Sequence, residues 1–362
     1  MYCPLVSLNT AKPYTTYALL LAFAWIFAWA CNLPESSTHK EQLPLTGEQL
    51  VPTGEQPAHT GEVSSPTDEQ PAHTEQKAEV TQDKLQRHEF VLFDRERVTP
   101  EAGKEPELAE RRLRLLVWVG PMTSEWAGKY PLLVMAHGLG GLPDKFEAFA
   151  QALANAGVVV AALQFPLTNQ NAPAGSTAGM HDLLNQPGDV SFVITWLLQS
   201  VSDAESALYK RFDANKLAVL GHSYGGATVL GLTRYDCCLD KRVWISILVA
   251  AATQLNAIAF RQAAPNSDGP PTLIIHGRDD HIINYASSEK LYPLLSSPCF
   301  FLGIPDTGHS DLLESQTQPP DTAREITQRA VKSFIAEFLM GEKGATTKEL
   351  AELSKSGCEI KH

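Results

Sequence analysis

The chain has 362 residues, 44% of them hydrophobic and 19% charged, a balance that suits a globular protein with a sizeable core. A formal net charge of -12, with no basic stripe and no zinc-finger spacing, excludes nucleic acid as a partner, because phosphate binding needs clustered Lys and Arg. Six cysteines are too few for a disulfide scaffold in a chain this long.

The first element is an apolar stretch, Tyr17 to Cys31, preceded by Lys12 and flanked by small residues. It is shorter than the roughly 20 residues that cross a bilayer, and it reads as an export signal over residues 1–31. Cys31 directly after Ala30 resembles the lipobox of bacterial lipoproteins, although Ala28 and Trp29 stand where Leu and a small residue are more usual. That resemblance implies an acylated Cys31 and a protein anchored to the bacterial envelope; without it, the signal implies a secreted or periplasmic protein. Export would permit disulfides among Cys237, Cys238, Cys299 and Cys358. The adjacent pair Cys237 and Cys238 is open between a disulfide and two buried thiols.

Residues 32–87 are poor in aliphatic side chains and rich in Pro, Glu, Gln, Thr and His. "EQPAHT" occurs at Glu55–Thr60 and again at Glu69–Thr74, and "TGEQ" at Thr46–Gln49 and Thr53–Gln56. Such a segment cannot bury enough apolar surface to offset its ordering entropy, so a disordered linker is expected. His59 and His73 in the repeats read as solvated linker residues.

From residue 88 the pattern changes. "EFVLFD" and "RLRLLVWV" predict strands. Pro131–Ala136 is a short continuous apolar run, as expected of a strand buried on both faces. A helix over Asp144–Ala156, a strand over Val158–Leu163 and a helix over Pro187–Val201 follow. Then come a strand at "KLAVLG", a helix from Gly225, strands at "VWISILVAA" and "PTLIIHG", a helix near Ala286–Leu295, a strand at "CFFLGI" and a helix over Thr322–Leu339. Alternating strands and helices predict one α/β domain over residues 88–341, with a mostly parallel sheet covered by helices on both faces. Residues 342–362 are expected to be a tail.

In such a sheet, ligands sit beyond the carboxyl ends of the strands. The strand at "LAVL" runs straight into Gly221-His222-Ser223-Tyr224-Gly225, which fits the G-x-S-x-G nucleophile elbow in its required strand–turn–helix setting. The turn leaves no room for side chains at either glycine and pushes the Ser223 hydroxyl into the open. A serine needs a base, and the base an orienting acid, in the chain order Ser, Asp or Glu, His. His309, in a loop after the strand "CFFLGI", is the candidate base. Asp279 and Asp280, after the strand "TLIIHG", are both candidates for the acid; Asp306 and Asp311 read as turn residues of the His309 loop. An oxyanion needs two preset N–H donors. One is expected from Tyr224, the other from Leu139 in His137-Gly138-Leu139-Gly140-Gly141, which resembles the HGGG-type oxyanion loop. His137 reads as a loop-fixing residue. The loop 164–186 is placed to shape substrate choice.

"MAHGLGG", "GHSYGGATVL", "IIHGRDDHIIN" and "TGHSD" together resemble the α/β-hydrolase superfamily over Pro131 to Leu339. Within it the chain is similar to the dienelactone-hydrolase-like group that includes platelet-activating-factor acetylhydrolases. The spacing of that group, Gly, two residues, Asp, two residues, Val or Ile, fits Gly277, Asp280 and Ile283 and so selects Asp280. Dienelactone hydrolases proper use a cysteine where this chain has Ser223, so their reaction is not implied. Polyester hydrolases and chlorophyllase-like esterases are similar at the same motifs. The resemblance implies an α/β-hydrolase fold and a serine hydrolase for a small-molecule or lipid ester, with catalytic Ser223, Asp280 and His309, no metal or organic cofactor, and contact with a membrane only through an N-terminal lipid. A peptidase or amidase on the same triad, and a silent ligand-binding surface lipoprotein, are the alternatives. The oligomeric state is left open.

Overall fold

The computed structural model describes residues 84–314 and 322–362. The expected export signal, Cys31 and the linker up to residue 83 lie outside these residues. Among the described residues nine strands form one sheet: β1 (Gln86–Asp94), β2 (Arg111–Val119), β3 (Leu132–Ala136), β4 (Val159–Gln164), β5 (Leu217–His222), β6 (Ile245–Val249), β7 (Thr272–Gly277), β8 (Cys299–Ile304) and β9 (Glu359–Lys361), in the order β1-β2-β4-β3-β5-β6-β7-β8-β9. The six strands from β4 to β8 in that order run parallel, and β1, β2 and β9 pair antiparallel at the two edges. β1 begins two residues before the expected boundary.

The helices are α1 (Glu147–Asn155), α2 (Gln186–Ser200), α3 (Tyr224–Arg234), α4 (Tyr285–Leu291), α5 (Thr322–Met340) and α6 (Ala345–Ser354), with short helical turns between. Alternate residues of each central strand face opposite layers. In β3, Leu132, Val134 and Ala136 join Val190, Val193 and Ile194 of α2 and Val229 of α3 on one side. Leu133 and Met135 join Phe149 of α1 and Phe334 of α5 on the other. Every residue of β3 and β5–β8 is buried, which explains why these strands read as apolar runs without alternation.

The segment expected as a tail is folded. α6 packs Leu350 and Leu353 onto the second layer, and β9 adds a strand beside β8, with Cys358 buried at its start. A three-residue strand reading "EIK" carries too little pattern to be recognised without its partner. Cys237 and Cys238 are joined by a disulfide, while Cys299 and Cys358 are free and buried.

Candidate active site

Ser223 sits in the corner between β5 and α3 with φ 54 and ψ -116, a conformation L-residues rarely adopt. The two glycines of the motif are there for space. A Cβ on Gly221 would lie 2.1 Å from the Gly225 carbonyl oxygen, and one on Gly225 would lie 2.2 Å from that of Ala136. The corner is held by Ser223 N–H donating to Val249 and by the Ser223 carbonyl accepting from Gly226, Ala227 and Ala252. The hydroxyl is less open than the sequence suggests: Ser223 is only 3% exposed. Neighbouring loops close over it, and Gly138 is so near that a Cβ there would meet Ser223 Cβ at 2.9 Å and Oγ at 3.4 Å.

That contact places the loop after β3 against the serine. Gly140 N–H donates to Thr168, Gly141 N–H to Gly138, and Gln170 N–H to Gly141. Among the described residues neither Leu139 N–H nor Tyr224 N–H is engaged, and Tyr224 opens α3, where backbone N–H groups lack helical partners. His137 is fully buried, and burial lowers its pKa to about 4. Its Nδ1–H donates to the Gly138 carbonyl and its Nε2 accepts from Phe165 N–H at 3.0 Å, so this neutral ring fixes the loop.

The end of β7 supplies Asp280 and the end of β8 supplies His309. His309 Nδ1 donates to Asp280 Oδ2 at 2.6 Å, which leaves Nε2 as the acceptor. Asp280 Oδ1 accepts from the N–H groups of Ile282 and Ile283, each at 2.8 Å. Burial pushes the Asp280 carboxyl up, but the hydrogen bonds from His276 and His309 outweigh it and hold the group well below the usual carboxylate range. Asp279 is exposed and meets the His309 loop only through its N–H, which donates to Thr307. Asp311 accepts from Gly308 N–H at 2.8 Å and shapes the turn before His309; Asp306 is exposed at φ 49.

Two histidines outside the sequence-derived set belong to this arrangement. His276, inside β7, donates from Nε2 to Asp280 Oδ2 at 3.1 Å and to the Ile283 carbonyl at 3.0 Å, while its Nδ1 accepts from Ser288 of α4 at 2.7 Å. His222, beside the serine, donates from Nε2 to the His309 carbonyl at 3.0 Å, and the two rings lie 4.7 Å apart. Burial, and then the charge of His309, lower the His222 pKa to about 3. His222 is thus the link between the serine corner and the His309 loop. Among the described residues no hydrogen bond joins Ser223 Oγ to His309, and no group of three or more His, Cys, Asp or Glu side chains is placed to share a metal ion.

The loop 164–186 is tied to the site at several points. Tyr224 Oη donates to the Met180 carbonyl, Gln186 Nε2 to Thr168 Oγ1 at 2.7 Å, and Thr228 Oγ1 to Gln186 Oε1 at 2.5 Å. The buried Arg111 of β2 bonds Asp182 of this loop and Asp189 of α2 through paired contacts of 2.5 to 3.1 Å.

A mostly parallel sheet between helical layers, with a strained serine at the β5 corner beside the loop after β3, is the α/β-hydrolase fold. Residues 112–172 match the family of platelet-activating factor acetylhydrolase, isoform II. Platelet-activating factor acetylhydrolase of Cavia porcellus is 27% identical over 167 residues, 35% of this chain and 38% of that one. The uncharacterized protein YfhR of Salmonella typhimurium is 31% identical over 140 residues, 32% of this chain and 48% of that one. The chain thus spans less than half the length of the curated relatives it matches. In fold it resembles a ferulic acid esterase from Streptomyces cinnamoneus with a TM-score of 0.54 at 18% identity, covering 74% of this chain and 93% of that one.

Proposed function

We propose that the protein is a serine hydrolase that cleaves carboxylic esters through an acyl-enzyme. The observation that carries this reading is the meeting of a strained serine corner with an Asp280–His309 pair of fixed tautomer, bridged by His222. His309 Nε2 accepts the Ser223 proton as Oγ attacks the carbonyl carbon. Asp280 orients the imidazole and stabilises its charged form. The free N–H groups of Leu139 and Tyr224 receive the oxyanion; losing one such donor costs about 3 kcal/mol, a hundredfold or more in rate. His309 then protonates the leaving alcohol, and water clears the acyl-enzyme by the same route. A turn of the Ser223 side chain on substrate binding brings Oγ to Nε2, since such bonds commonly tighten only in the Michaelis complex.

The relatives named an acetylhydrolase and an esterase support an ester over an amide as substrate. Export and acylation at Cys31 belong to the same proposal and would be read by lipid labelling that is lost in Cys31→Ala. The decisive experiment is labelling of the full-length chain with a fluorophosphonate probe. The wild type is expected to label and Ser223→Ala is not. Equal labelling of both, or none of the wild type, overturns the reading. Faster turnover of p-nitroanilides than of matched p-nitrophenyl esters would instead favour an amidase.

A further inference from the structure

Residues 99–108 fold back on themselves as a flap. Thr99 and Leu108 exchange both backbone hydrogen bonds at 2.9 Å, and Ala102 and Glu105 do so at 3.1 and 2.9 Å. The flap leans on the loop after β4: a Cβ added to Gly103 would sit 3.2 Å from Ala174 Cβ. Between flap and loop lies a hollow of about 210 Å³ whose walls are mostly Pro, Leu and Ala, among them Pro100, Pro106, Leu108, Leu167, Ala172 and Pro173. One acidic and one basic residue, Glu105 and Arg112, also border it, so the hollow has no net charge to favour an ion.

The base of the flap is fixed. Thr99 Oγ1 donates to the Glu110 carbonyl at 2.8 Å, and Arg111 Nη1 to the Val98 carbonyl at 3.3 Å. The same guanidinium is gripped by Asp182 and Asp189, so flap, loop 164–186 and α2 share one buried anchor. A hollow held in this way is preformed, which removes ordering cost from any ligand that fills it.

Its place relative to Ser223 follows from the sheet. Gly221 of β5 pairs with Ala136 of β3, and Ala136 with Leu163 of β4. Leu163 therefore lies two strand spacings from Gly221, roughly 10 Å, and Pro166 and Leu167 leave the end of β4 on the same sheet edge at which Ser223 leaves β5. β7 and β8, which carry Asp280 and His309, lie on the other side of β5. An ester bound at Ser223 has its leaving oxygen toward His309, which must protonate it, and its carbonyl oxygen at Leu139 and Tyr224. The acyl substituent is the remaining group on the carbonyl carbon, and the side of β5 away from His309 is the side of β3 and β4.

We propose that the hollow between the flap 99–108 and the loop 166–174 is the acyl-chain subsite, which takes a medium-length, uncharged hydrocarbon chain. This rests on the ester-hydrolase reading for its orientation, though the hollow itself does not. Its volume is below the roughly 300 Å³ at which pockets for larger organic ligands begin, which favours a single chain over a bulky ring system or a diacyl lipid.

The test uses the full-length chain and p-nitrophenyl acetate and octanoate. Leu108→Trp, which blocks the hollow from its exposed rim, and Ala172→Phe, which fills it from within, should each lower the octanoate-to-acetate ratio of kcat/KM by at least about tenfold. Leu294→Trp, on a distant exposed leucine, should leave the ratio alone. In parallel, sodium octanoate is offered to Ser223→Ala, and to Ser223→Ala carrying Leu108→Trp, and binding is followed by saturation-transfer NMR. Binding to the first that is lost in the second supports the subsite, even if the wild type hydrolyses no ester, a result that would sink only the hydrolase reading. An unchanged ratio in folded Leu108→Trp and Ala172→Phe overturns the subsite while leaving the hydrolase intact. Absence of both octanoate binding and ester turnover overturns the two together.

Discussion

His276 gives Asp280 a second imidazole partner besides His309. Its Nε2 faces the Ile283 carbonyl, which can only accept, so the hydrogen is on Nε2 and is shared with the carboxylate, while Nδ1 accepts from Ser288; Asp280 is thus held from α4 as well as from its own turn. A hydrogen bond to a charged group is worth about 1.5–3 kcal/mol, so His276→Phe should lower kcat by about tenfold or more while KM stays near wild type. His276→Gln, whose amide can still donate, should recover part of the loss. A uniform loss in both variants, with melting temperatures down together, would mean that the residue only fills space. At Gly225 the constraint is steric: Gly225→Ala drives a methyl into the Ala136 carbonyl and should cost about 3 kcal/mol in urea unfolding and abolish probe labelling. A fully labelled, undiminished Gly225→Ala would contradict the tightness of the corner.

At the scale of elements, the anchor at Arg111 explains how an irregular loop of more than twenty residues stays ordered over the site. Arg111 is fully buried, as are Asp182 and Asp189. Burial alone would lower the Arg111 pKa, but the paired carboxylates raise it well beyond the usual value, while burial raises that of Asp189. Removing one partner leaves an uncompensated buried charge, so Arg111→Leu should destabilise by about 3–5 kcal/mol in urea unfolding; a loss under about 1 kcal/mol would show that water replaces the guanidinium. This anchor was not legible in the sequence: Arg111 stands directly before the strand pattern "RLRLLVWV", and such a pattern records which face a residue takes and not which distant carboxylates meet its neighbour. The parallel strands and the serine corner were legible for the opposite reason: unbroken apolar runs and a G-x-S-x-G turn are local consequences of burial and crowding. His276 lies between these cases. In "TLIIHG" it passes for one more buried strand residue, and only its spacing of four from Asp280 hints at a shared bond. β9 was invisible because its partner β8 is distant in sequence. Deleting 342–362 would uncover the edge of β8 at Phe301–Gly303 and the apolar layer under Leu350 and Leu353, so aggregation on expression is the expected outcome.

Across the whole molecule, two buried histidines of the site, His137 and His222, make folding stability sensitive to acid. His137 and His222 are 0% and 3% exposed, and burial lowers their pKa values to about 4 and about 3. In the unfolded chain each returns to about 6.5. Above that pH both states are neutral and the pair has no effect on the pH dependence. Below it the unfolded chain binds two protons that the native site refuses, so stability must fall with falling pH, and the fall continues until each folded pKa is reached. At pH 5 the difference is about 2 kcal/mol for each ring. The carboxylates are a separate matter: Asp280, held below its normal range, supports the fold above about pH 4 and withdraws that support only in stronger acid. Urea unfolding of the full-length chain between pH 7.5 and 5 spans the unfolded histidine pKa and stays above the range in which Asp280 withdraws its support, and comparison with a His222 variant singles out that ring. Each of the two rings should contribute a loss of about 2 kcal/mol over that interval, so His222→Gln, which keeps an N–H for the His309 carbonyl but cannot be charged, should lose about 2 kcal/mol less than wild type. A wild type and a His222→Gln variant that both hold their stability level to pH 5 would mean that both rings accept a proton in the folded protein. The neutral loop-fixing ring of His137 and the neutral bridge from His222 to His309 would then both have to be redrawn.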